Sequence, residues 1–507
     1  MRAPRLWEAD WRFLLSPFAG PEFGEIALDG GPSGLAAMLV RSGIAERVVS
    51  PRELSSASEA LVVLAGSALD TRQAYDLIQP GQSLYVERLG LGSVRQVRGG
   101  PAVCHSYLIL GEPGEARRFI QLHPTAFAWY AGHLVSGSTL RHRILQDVIG
   151  RCPGAAAHAA RIAGARIATV ARKPEAKLER SPDGRRPRIQ LSSGVDDGSR
   201  IVTLRFEPGC RSPAYVAKTS RHRDFNDRTR SEQQALGLLY AALAPELAAT
   251  VPRPLGHEQH GSLVTARESW SPGTRMIDLA WRRNRAAGQK IMDLRLATDW
   301  LTRAHRRLRS SQTVDASEWL ELTLRLPDTV RERWQPRYPD ALAVVDSYRE
   351  DAADLYGVRL ATTFRHRDFT PWNVLREGGS VRVIDWENAR LDAPPGPGLS
   401  DLLYFVLHWS FAVNRLDAPA EQGDCLRQLV TGSTDDNLFQ QAARGEIDTY
   451  VSAFGVERRL ITPLWVAMLA EHAVERERRE SLAGATGGDI PPNGFAELLG
   501  AVYPVIG

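Results

Sequence analysis

The sequence predicts an α+β protein in which a small β-rich lobe and a large helical lobe follow a smaller α/β domain. Residues 1–150 alternate short apolar, strand-like runs with helical patterns. Residues 189–272 contain short strand-like runs separated by glycine turns, and residues 273–507 are mainly helical in pattern. Residues 151–188 end in a stretch rich in Pro, Gly and charge, so we expect a linker there.

The composition narrows the function classes. The 507 residues are 43% hydrophobic and 24% charged with a net charge of +4, which is ordinary for a globular protein and gives no signature of a nucleic-acid partner. Four distant cysteines, with no metal-ligand spacing, fit a reducing cytoplasm better than a disulfide framework. There is no signal-peptide pattern and no run of about eighteen apolar residues, so we expect neither secretion nor a membrane span.

The first domain reads as a strand, a helix, a Pro-Gly turn and a strand. Residues 60–66 and 83–87 are the strands, and residues 70–77 the helix. This order resembles the latter half of a class I methyltransferase sheet. Upstream, residues 26–34 resemble a worn glycine-rich nucleotide loop after a strand.

We expect this Rossmann-like domain to be degenerate. Pro32 lies inside the glycine turn, and residues 47–51 lack the acidic residue that would close the next strand of a working site. The expected role is packing or binding of a protein partner. A methyltransferase centred on residues 26–90 remains the alternative.

The catalytic motif lies in residues 364–387, FRHRDFTPWNVLREGGSVRVIDWE. Asp368 can orient and deprotonate an attacking hydroxyl, which is what phosphoryl transfer requires of a catalytic carboxylate. Asn373 and Asp385 supply the hard oxygen ligands that Mg²⁺ prefers. The spacing of His366, Asp368 and Asn373 matches the kinase catalytic loop H-R-D-x-x-x-x-N.

The strings HRDFTPWN and IDWE resemble the aminoglycoside phosphotransferase and choline kinase branch of the protein-kinase-like superfamily. The resemblance covers about residues 189–480. It implies a bilobal kinase-like fold with a small lobe at 189–272 and a large lobe at 273–507. Arg367 stands where this branch commonly has Gly.

The resemblance also implies the roles of the site residues. Asp368 would be the catalytic base, and His366, which we count among the catalytic residues, would brace its loop by hydrogen bonding. Asn373 and Asp385 would bind Mg²⁺. Lys218, at the end of a strand that reads Val-Ala-Lys, would bind the α- and β-phosphates and pair with Glu232 of the next helix.

Several further positions follow from the order of elements. Residues 266–270, including Glu268 and Trp270, would form the hinge that binds the adenine. Residues 192–199 occupy the place of the nucleotide-covering loop but hold only two glycines and two acids. We expect Asp401 to be a helix N-cap and a structural partner of the catalytic loop, and His305 to pack and form hydrogen bonds.

These observations predict a cytoplasmic enzyme that moves the γ-phosphoryl group of ATP or GTP to a hydroxyl of a small molecule such as an aminoglycoside, sugar or amino alcohol. The alternative is a nucleotide-binding pseudokinase or scaffold without turnover. Loops of the large lobe follow no readable code, so the sequence specifies neither the acceptor nor the choice between ATP and GTP.

Overall fold

We describe the fold from a computed structural model of the chain. The structure describes residues 6–15, 21–89, 103–110, 117–133, 166–173, 187–192, 199–389, 396–432, 437–482 and 492–502. Contacts divide the chain into two compact units. The first comprises residues 1–230 and 254–270, and the second comprises 231–253 and 271–507.

One large sheet organises the first unit. Its strands are β1 (Phe23–Asp29), β2 (Ala45–Val49), β3 (Ala60–Val63), β4 (Ser83–Leu89), β5 (Val103–Leu110), β6 (Arg118–Gln121), β7 (Arg166–Arg172), β8 (Arg188–Ser192), β9 (Arg200–Arg205), β10 (Tyr215–Ser220), β11 (Pro254–His260) and β12 (Leu263–Ser269). They hydrogen-bond in the order β11-β12-β10-β9-β8-β6-β5-β7-β4-β3-β1-β2.

The α/β part of this sheet is parallel. β1 pairs with β2 on one side and with β3 on the other, and β3 pairs with β4. α2 (Leu35–Arg41) connects β1 to β2, and α3 (Thr71–Leu77) connects β3 to β4. β3, α3 and β4 confirm the strand, helix and strand predicted within residues 60–87. The resemblance to a methyltransferase stays a prediction.

The expectation of a linker at residues 151–188 is wrong for residues 166–172. β7 lies there and pairs antiparallel with both β4 and β5. Residues Ile167 to Ala171 are all buried, as expected for a strand covered on both faces. The Ala-rich start and the basic end of that segment, which suggested a loop, lie outside the described residues.

The predicted small-lobe strands follow in antiparallel order. β8, β9 and β10 occupy the predicted ranges, and β10 pairs with β12. β8 also pairs with β6, so the predicted first domain and the predicted small lobe share one sheet. The predicted boundaries at 150, 188 and 272 do not coincide with the two compact units, and the functional domain division stays a prediction.

The N-terminal segment is tied to the strands of the predicted small lobe. Asp10 accepts two hydrogen bonds from Arg221, at 3.0 and 2.9 Å, and both side chains are fully buried. The Gln190 side chain donates to the Asp10 carbonyl at 2.9 Å. Arg221 follows β10 in a run of basic residues, yet its guanidinium is fully buried.

Four helices in this unit are short or packed on the sheet: α1 (Arg12–Leu15), α2, α3 and α4 (Pro124–His133). The largest apolar cluster of the unit joins α1 and α2 to the strands through Trp11, Leu39 and Tyr85. A second cluster packs Trp129 of α4 against Phe206 and Trp270.

The second unit is mainly helical, as predicted. Most of α5 (Asn226–Ala242) belongs to this unit. The helices that follow it are α6 (Pro245–Ala248), α7 (Met276–Trp281), α8 (Ala287–Arg307), α9 (Ala316–Leu324), α10 (Asp328–Trp334), α11 (Pro339–Asp351), α12 (Leu399–Asn414), α13 (Pro419–Thr431), α14 (Leu438–Phe454), α15 (Ile461–Leu482) and α16 (Gly494–Val502). None of the helices in the described part of the chain is long and apolar enough to cross a bilayer.

Two small sheets accompany these helices. β13 (Thr274–Arg275) pairs with β16 (Val374–Glu377), which forms a hairpin with β17 (Ser380–Val383). β14 (Arg309–Asp315) pairs with β15 (Arg359–Thr363). One apolar cluster runs through the unit from α5 to α16 and includes Phe369 of the predicted catalytic loop, so the loop is anchored in the core.

Candidate active site

A hairpin brings the two halves of the catalytic motif together. Residues 364–373 connect β15 to β16, and residue 385 follows β17. Since Val374 is paired with Val383, the residues on either side of the hairpin base are neighbours. The Ile384 N–H donates to the Asn373 carbonyl at 2.9 Å. The two motif segments, distant in sequence, therefore lie side by side.

Asp368 is held by the amide of Asn373. The Asn373 Nδ2 donates to the Asp368 carbonyl and to Asp368 Oδ2, both at 3.0 Å. Burial raises the pKa of the Asp368 carboxyl well above its usual range, and the nearby charges of Asp385 and Glu387 raise it further. The structure thus brings the predicted base and the two predicted metal ligands together.

Glu387 is a third acidic residue at this site, and the sequence marked it only as the last residue of the IDWE string. Its charge raises the pKa of Asp368, as does that of Asp385. The positive charge of Arg479 in α15 lowers the pKa of Asp368. The Arg479 Nη2 donates a hydrogen bond to Asn388 Oδ1 at 2.9 Å. The charge run around residue 479 gave no sign that it reaches the catalytic loop.

His366 braces the loop, as expected. Its Nε2 lies 2.9 Å from the Ile384 carbonyl, and its Nδ1 lies 3.2 Å from the Asp368 backbone N–H. A carbonyl can only accept and a backbone N–H can only donate, so these partners assign the ring proton to Nε2. Burial lowers the pKa of His366, which fits this neutral tautomer.

Asp401 supports the same loop from α12. Its two carboxylate oxygens accept from the backbone N–H groups of His366 at 2.7 Å and Arg367 at 2.9 Å. Burial alone would raise the pKa of Asp401, but the hydrogen bond and charge of His305 outweigh it and lower the pKa to about 2. The carboxylate therefore stays ionised over the whole physiological range.

The expectation that Asp401 caps a helix is wrong. α12 begins at Leu399 and Gly398 occupies the cap position, so Asp401 lies inside the first turn with its side chain turned to the loop. His305 packs and bonds as predicted. Its Nδ1 lies 2.7 Å from the Tyr450 hydroxyl and its Nε2 lies 3.5 Å from Asp401 Oδ2.

Two residues of the site have left-handed backbone conformations. Arg367 has φ 62° and Asp385 has φ 67°. Non-glycine residues rarely adopt this region, and such outliers concentrate at functional sites where the surroundings hold them. At Arg367, the left-handed backbone would favour glycine over a residue with a side chain.

Glu232 is tied to the metal-ligand segment. It is fully buried in α5, and its Oε1 accepts from the Trp386 backbone N–H at 3.1 Å. The helix residue that was predicted to face Lys218 is therefore attached to the position next to Asp385. Lys218 belongs to the other compact unit, and the predicted pairing of Lys218 with Glu232 stays a prediction.

Lys218 is buried within its own unit. It is 5% exposed, and its Nζ lies 3.0 Å from Glu268 Oε1. The pair is formed between β10 and β12, which are adjacent strands. Trp270, predicted with Glu268 to bind the nucleotide, packs edge-on against Trp129 with ring centroids 5.2 Å apart. Residues 193–198 of the predicted nucleotide-covering loop lie outside the described residues.

Sequence reasoning missed the second support of the loop. Arg365 donates two hydrogen bonds to Glu471, both at 2.9 Å, which is the bidentate geometry of a strong charge-assisted pair. Arg367 reaches the same carboxylate at 3.4 Å. Both arginines are in the motif, but their partner lies about a hundred residues away, so the sequence could not identify it.

The donor set is chemically suited to a hydrated magnesium ion. Within the described residues, no group of three or more His, Cys, Asp or Glu side chains could hold a metal by itself. Mg²⁺ does not need one, because it commonly binds through one or two carboxylates and completes its shell with water and phosphate oxygens. The mutual repulsion of Asp368 and Asp385 is the kind of strain that a cation would relieve.

Residues 191–425 match the family model APH, described as the phosphotransferase enzyme family. The APH region spans slightly under half of the chain and contains Lys218, Glu232, the catalytic loop and Asp385. A search of curated proteins gives no match.

Three of the solved structures that this chain resembles are small-molecule kinases by their names. An aminoglycoside phosphotransferase from Streptomyces rimosus ATCC10970, in complex with ADP and streptomycin, is 16% identical, with 54% of this chain and 90% of that chain covered and a TM-score of 0.32. A glucosamine kinase is 15% identical, with coverage of 77% and 93% and a TM-score of 0.32. A choline kinase from Cryptosporidium parvum Iowa II is 10% identical, with coverage of 64% and 90% and a TM-score of 0.34. These scores are low and add no argument to the APH match.

Proposed function

We propose that this protein transfers the γ-phosphoryl group of ATP or GTP to a hydroxyl group of a small molecule. One observation carries the proposal: the carboxylate of Asp368 is held by Asn373 beside Asp385, on a hairpin within a region that matches the phosphotransferase family. This is the residue set that phosphoryl transfer requires from a protein.

In the proposed reaction, Asp368 accepts the proton of the acceptor hydroxyl. The acceptor oxygen forms a bond to the γ-phosphorus while the bridging oxygen bond to that phosphorus breaks, and the nucleoside diphosphate leaves. The raised pKa of Asp368 makes its carboxylate a stronger base than a solvent-exposed aspartate. Asn373 keeps the carboxylate oriented through Oδ2.

Asn373 and Asp385 are the residues that would hold Mg²⁺. The ion supplies charge neutralisation of the nucleotide phosphates when it is bound. Its charge would also offset the repulsion between Asp385 and Asp368, and so favour the ionised form of the base. His366 positions Asp368 through the backbone and has no proton to exchange in this scheme, because its Nε2 hydrogen is bonded to Ile384.

Lys218 is the residue that we propose for the α- and β-phosphates. Its ion pair with Glu268 holds the Lys218 side chain in position on β10. Glu232, which is bonded beside Asp385, would orient Lys218 in the nucleotide complex, and residues 266–270, including Glu268 and Trp270, would bind the adenine. We also propose a cytoplasmic location, which the widely separated cysteines support.

The decisive experiment compares nucleotide turnover by the full-length protein and by Asp368→Asn. With Mg²⁺ and a panel of hydroxylated acceptors, we expect acceptor-dependent ADP formation that Asp368→Asn lowers by at least about 100-fold. Chelation of Mg²⁺ should abolish turnover. Asp354→Asn, an exposed site in the same unit, is the matched control and should retain full activity.

Equal rates for the wild type and Asp368→Asn would end the enzyme proposal. Nucleotide binding without turnover in both proteins would instead favour the pseudokinase or scaffold alternative. The role of the N-terminal α/β part remains a separate proposal, that of packing or binding a protein partner, because Pro32 interrupts its glycine turn and Asp29 is already bonded to Ser67.

A further inference from the structure

A cavity of about 310 Å³ lies beside the catalytic loop in the second unit. Its size is at the lower end of the range for small-molecule sites. Its walls come from α7, the catalytic loop, α12, the start of α13, α15 and α16. The cavity therefore gathers residues from elements that are far apart in the sequence.

The cavity is directly connected to the loop that carries Asp368. Trp372, four residues after Asp368, forms part of its wall. Ile277, on another wall, donates its backbone N–H to the Pro371 carbonyl at 2.9 Å. Tyr404 lies behind the wall, with its ring centroid 4.7 Å from that of His408. Burial raises the pKa of Tyr404, and the negative charge of Asp368 raises it further. A molecule in the cavity would thus lie against the loop that carries the proposed base.

Aromatic rings dominate the lining. Trp281 and Trp372 lie 6.3 Å apart and edge-on, and they are 47% and 38% exposed. His408 lies 5.3 Å from Trp372 and 6.3 Å from Phe495. Large aromatic side chains with this much exposed surface around a cavity are typical of a ligand site.

The lining carries little charge. Among the described residues that line the cavity, Asp417 has the one carboxylate and Arg476 the one guanidinium, so their formal charges cancel. Burial lowers the pKa of His408 to about 4, so this ring is neutral at pH 7. A polycation needs several carboxylates for charge complementarity, and this cavity does not offer them.

We propose that the acceptor is an uncharged alcohol with an apolar ring as its body, and that Trp281 and Trp372 hold that ring while its hydroxyl faces the catalytic loop. This inference rests on the proposed phosphotransferase function and specifies its substrate class. By this inference, the cavity fits a polycationic aminoglycoside less well than an uncharged alcohol.

The test uses two probes that share a hydroxyalkyl chain and differ in the group at its end, together with a polycationic aminoglycoside. Dissociation constants of 4-phenyl-1-butanol, 4-amino-1-butanol and streptomycin are measured by ligand-detected NMR on the full-length protein without nucleotide. We expect the phenyl compound to bind at least about tenfold more tightly than either cation, because only its ring can be buried against the aromatic lining.

Trp281→Ala should weaken the phenyl compound about fivefold or more, since it removes one face of the ring site. Tyr356→Ala is the matched control, because Tyr356 is a 78% exposed aromatic residue that does not line the cavity. Tighter binding of streptomycin or the amino alcohol would overturn the inference, as would equal effects of the two variants. Binding without turnover leaves it standing and counts against the phosphotransferase proposal alone, so the two failures are distinguishable.

Discussion

At the scale of single residues, Asp401 illustrates how a buried charge can organise a site without touching the reacting atoms. Its two oxygens hold two consecutive backbone N–H groups of the catalytic loop. One of those residues, Arg367, has a left-handed backbone that needs such support. Asp401 is therefore a positioning residue for Asp368.

Asp401→Asn tests this role. The amide retains one acceptor oxygen but presents N–H groups to the second backbone donor, so we expect a loss of about 2–4 kcal/mol in unfolding free energy. Turnover should fall through kcat with little change in the Michaelis constant for nucleotide, because Asp401 acts on the backbone of the loop and on His305. Thermal melting and steady-state kinetics measure both effects.

Asp299→Asn is the control for that experiment. Asp299 is exposed on α8 and should tolerate the change within about 0.5 kcal/mol. A fully active Asp401→Asn protein with unchanged melting would show that the loop keeps its conformation without this carboxylate.

At the scale of secondary structure elements, the start of α12 is packed too tightly for any side chain. A Cβ at Gly398 would collide with the Tyr450 hydroxyl, the His305 ring and the Thr363 methyl group. The same contacts hold His305 against Asp401, so the close approach of α12, α8, α14 and β15 is part of the support of the catalytic loop.

Gly398→Ala should therefore lower the unfolding free energy by about 1–3 kcal/mol, because its neighbours on three elements must shift. Gly445→Ala is a matched control on the exposed face of α14, where an added Cβ meets nothing within 4 Å. That change should instead stabilise the protein by about 0.5–1 kcal/mol, since alanine favours the helix. Denaturant unfolding measures both; a Gly398→Ala protein as stable as Gly445→Ala contradicts the packing argument.

Elements with local signals could be predicted from the sequence. The strand and helix patterns of residues 60–87 reappear as β3, α3 and β4, and the Val-Ala-Lys strand reappears as β10. β7 could not be found, because its neighbours in the sequence are Ala-rich or basic and its strand partners, β4 and β5, lie far upstream. Strand pairing over such distances leaves no trace in local composition.

The residues of the site also divide into those with a local sequence signal and those without one. The spacing of Asp368, Asn373 and Asp385 is a local pattern, and the structure brings these residues together. The partners that hold the loop, such as Glu471 and Arg479, come from a helix about a hundred residues away. Their contacts depend on tertiary packing, and a single sequence carries no signal for them.

At the scale of the whole molecule, the predicted first domain and the predicted small lobe are one structural unit. β6 pairs with β8 across the predicted linker, and the buried pair of Asp10 with Arg221 joins the N-terminal segment to the residue after β10. A chain that began at residue 187 would expose the edge of β8 and leave the Arg221 guanidinium without Asp10. Both are costly, since open apolar strands aggregate and unpaired buried charges destabilise.

We therefore expect a protein that begins at residue 187 to be aggregated, as measured by size-exclusion chromatography beside the full chain. Asp10→Ala, which keeps the chain at full length, should lower the unfolding free energy by about 3–5 kcal/mol. Asp76→Asn, an exposed site in the same unit, should behave as the wild type. A monomeric, cooperatively melting truncated chain would contradict the view that the two parts fold together.

The left-handed backbone at Arg367 has a consequence for what a glycine at that position would do to the loop. Glycine would relax the peptide there, and yet a long cationic side chain occupies the position and reaches Glu471. Arg367→Gly would therefore release backbone strain and at the same time remove one of the ties between the loop and α15. The two changes act on the rigidity of the loop in opposite directions.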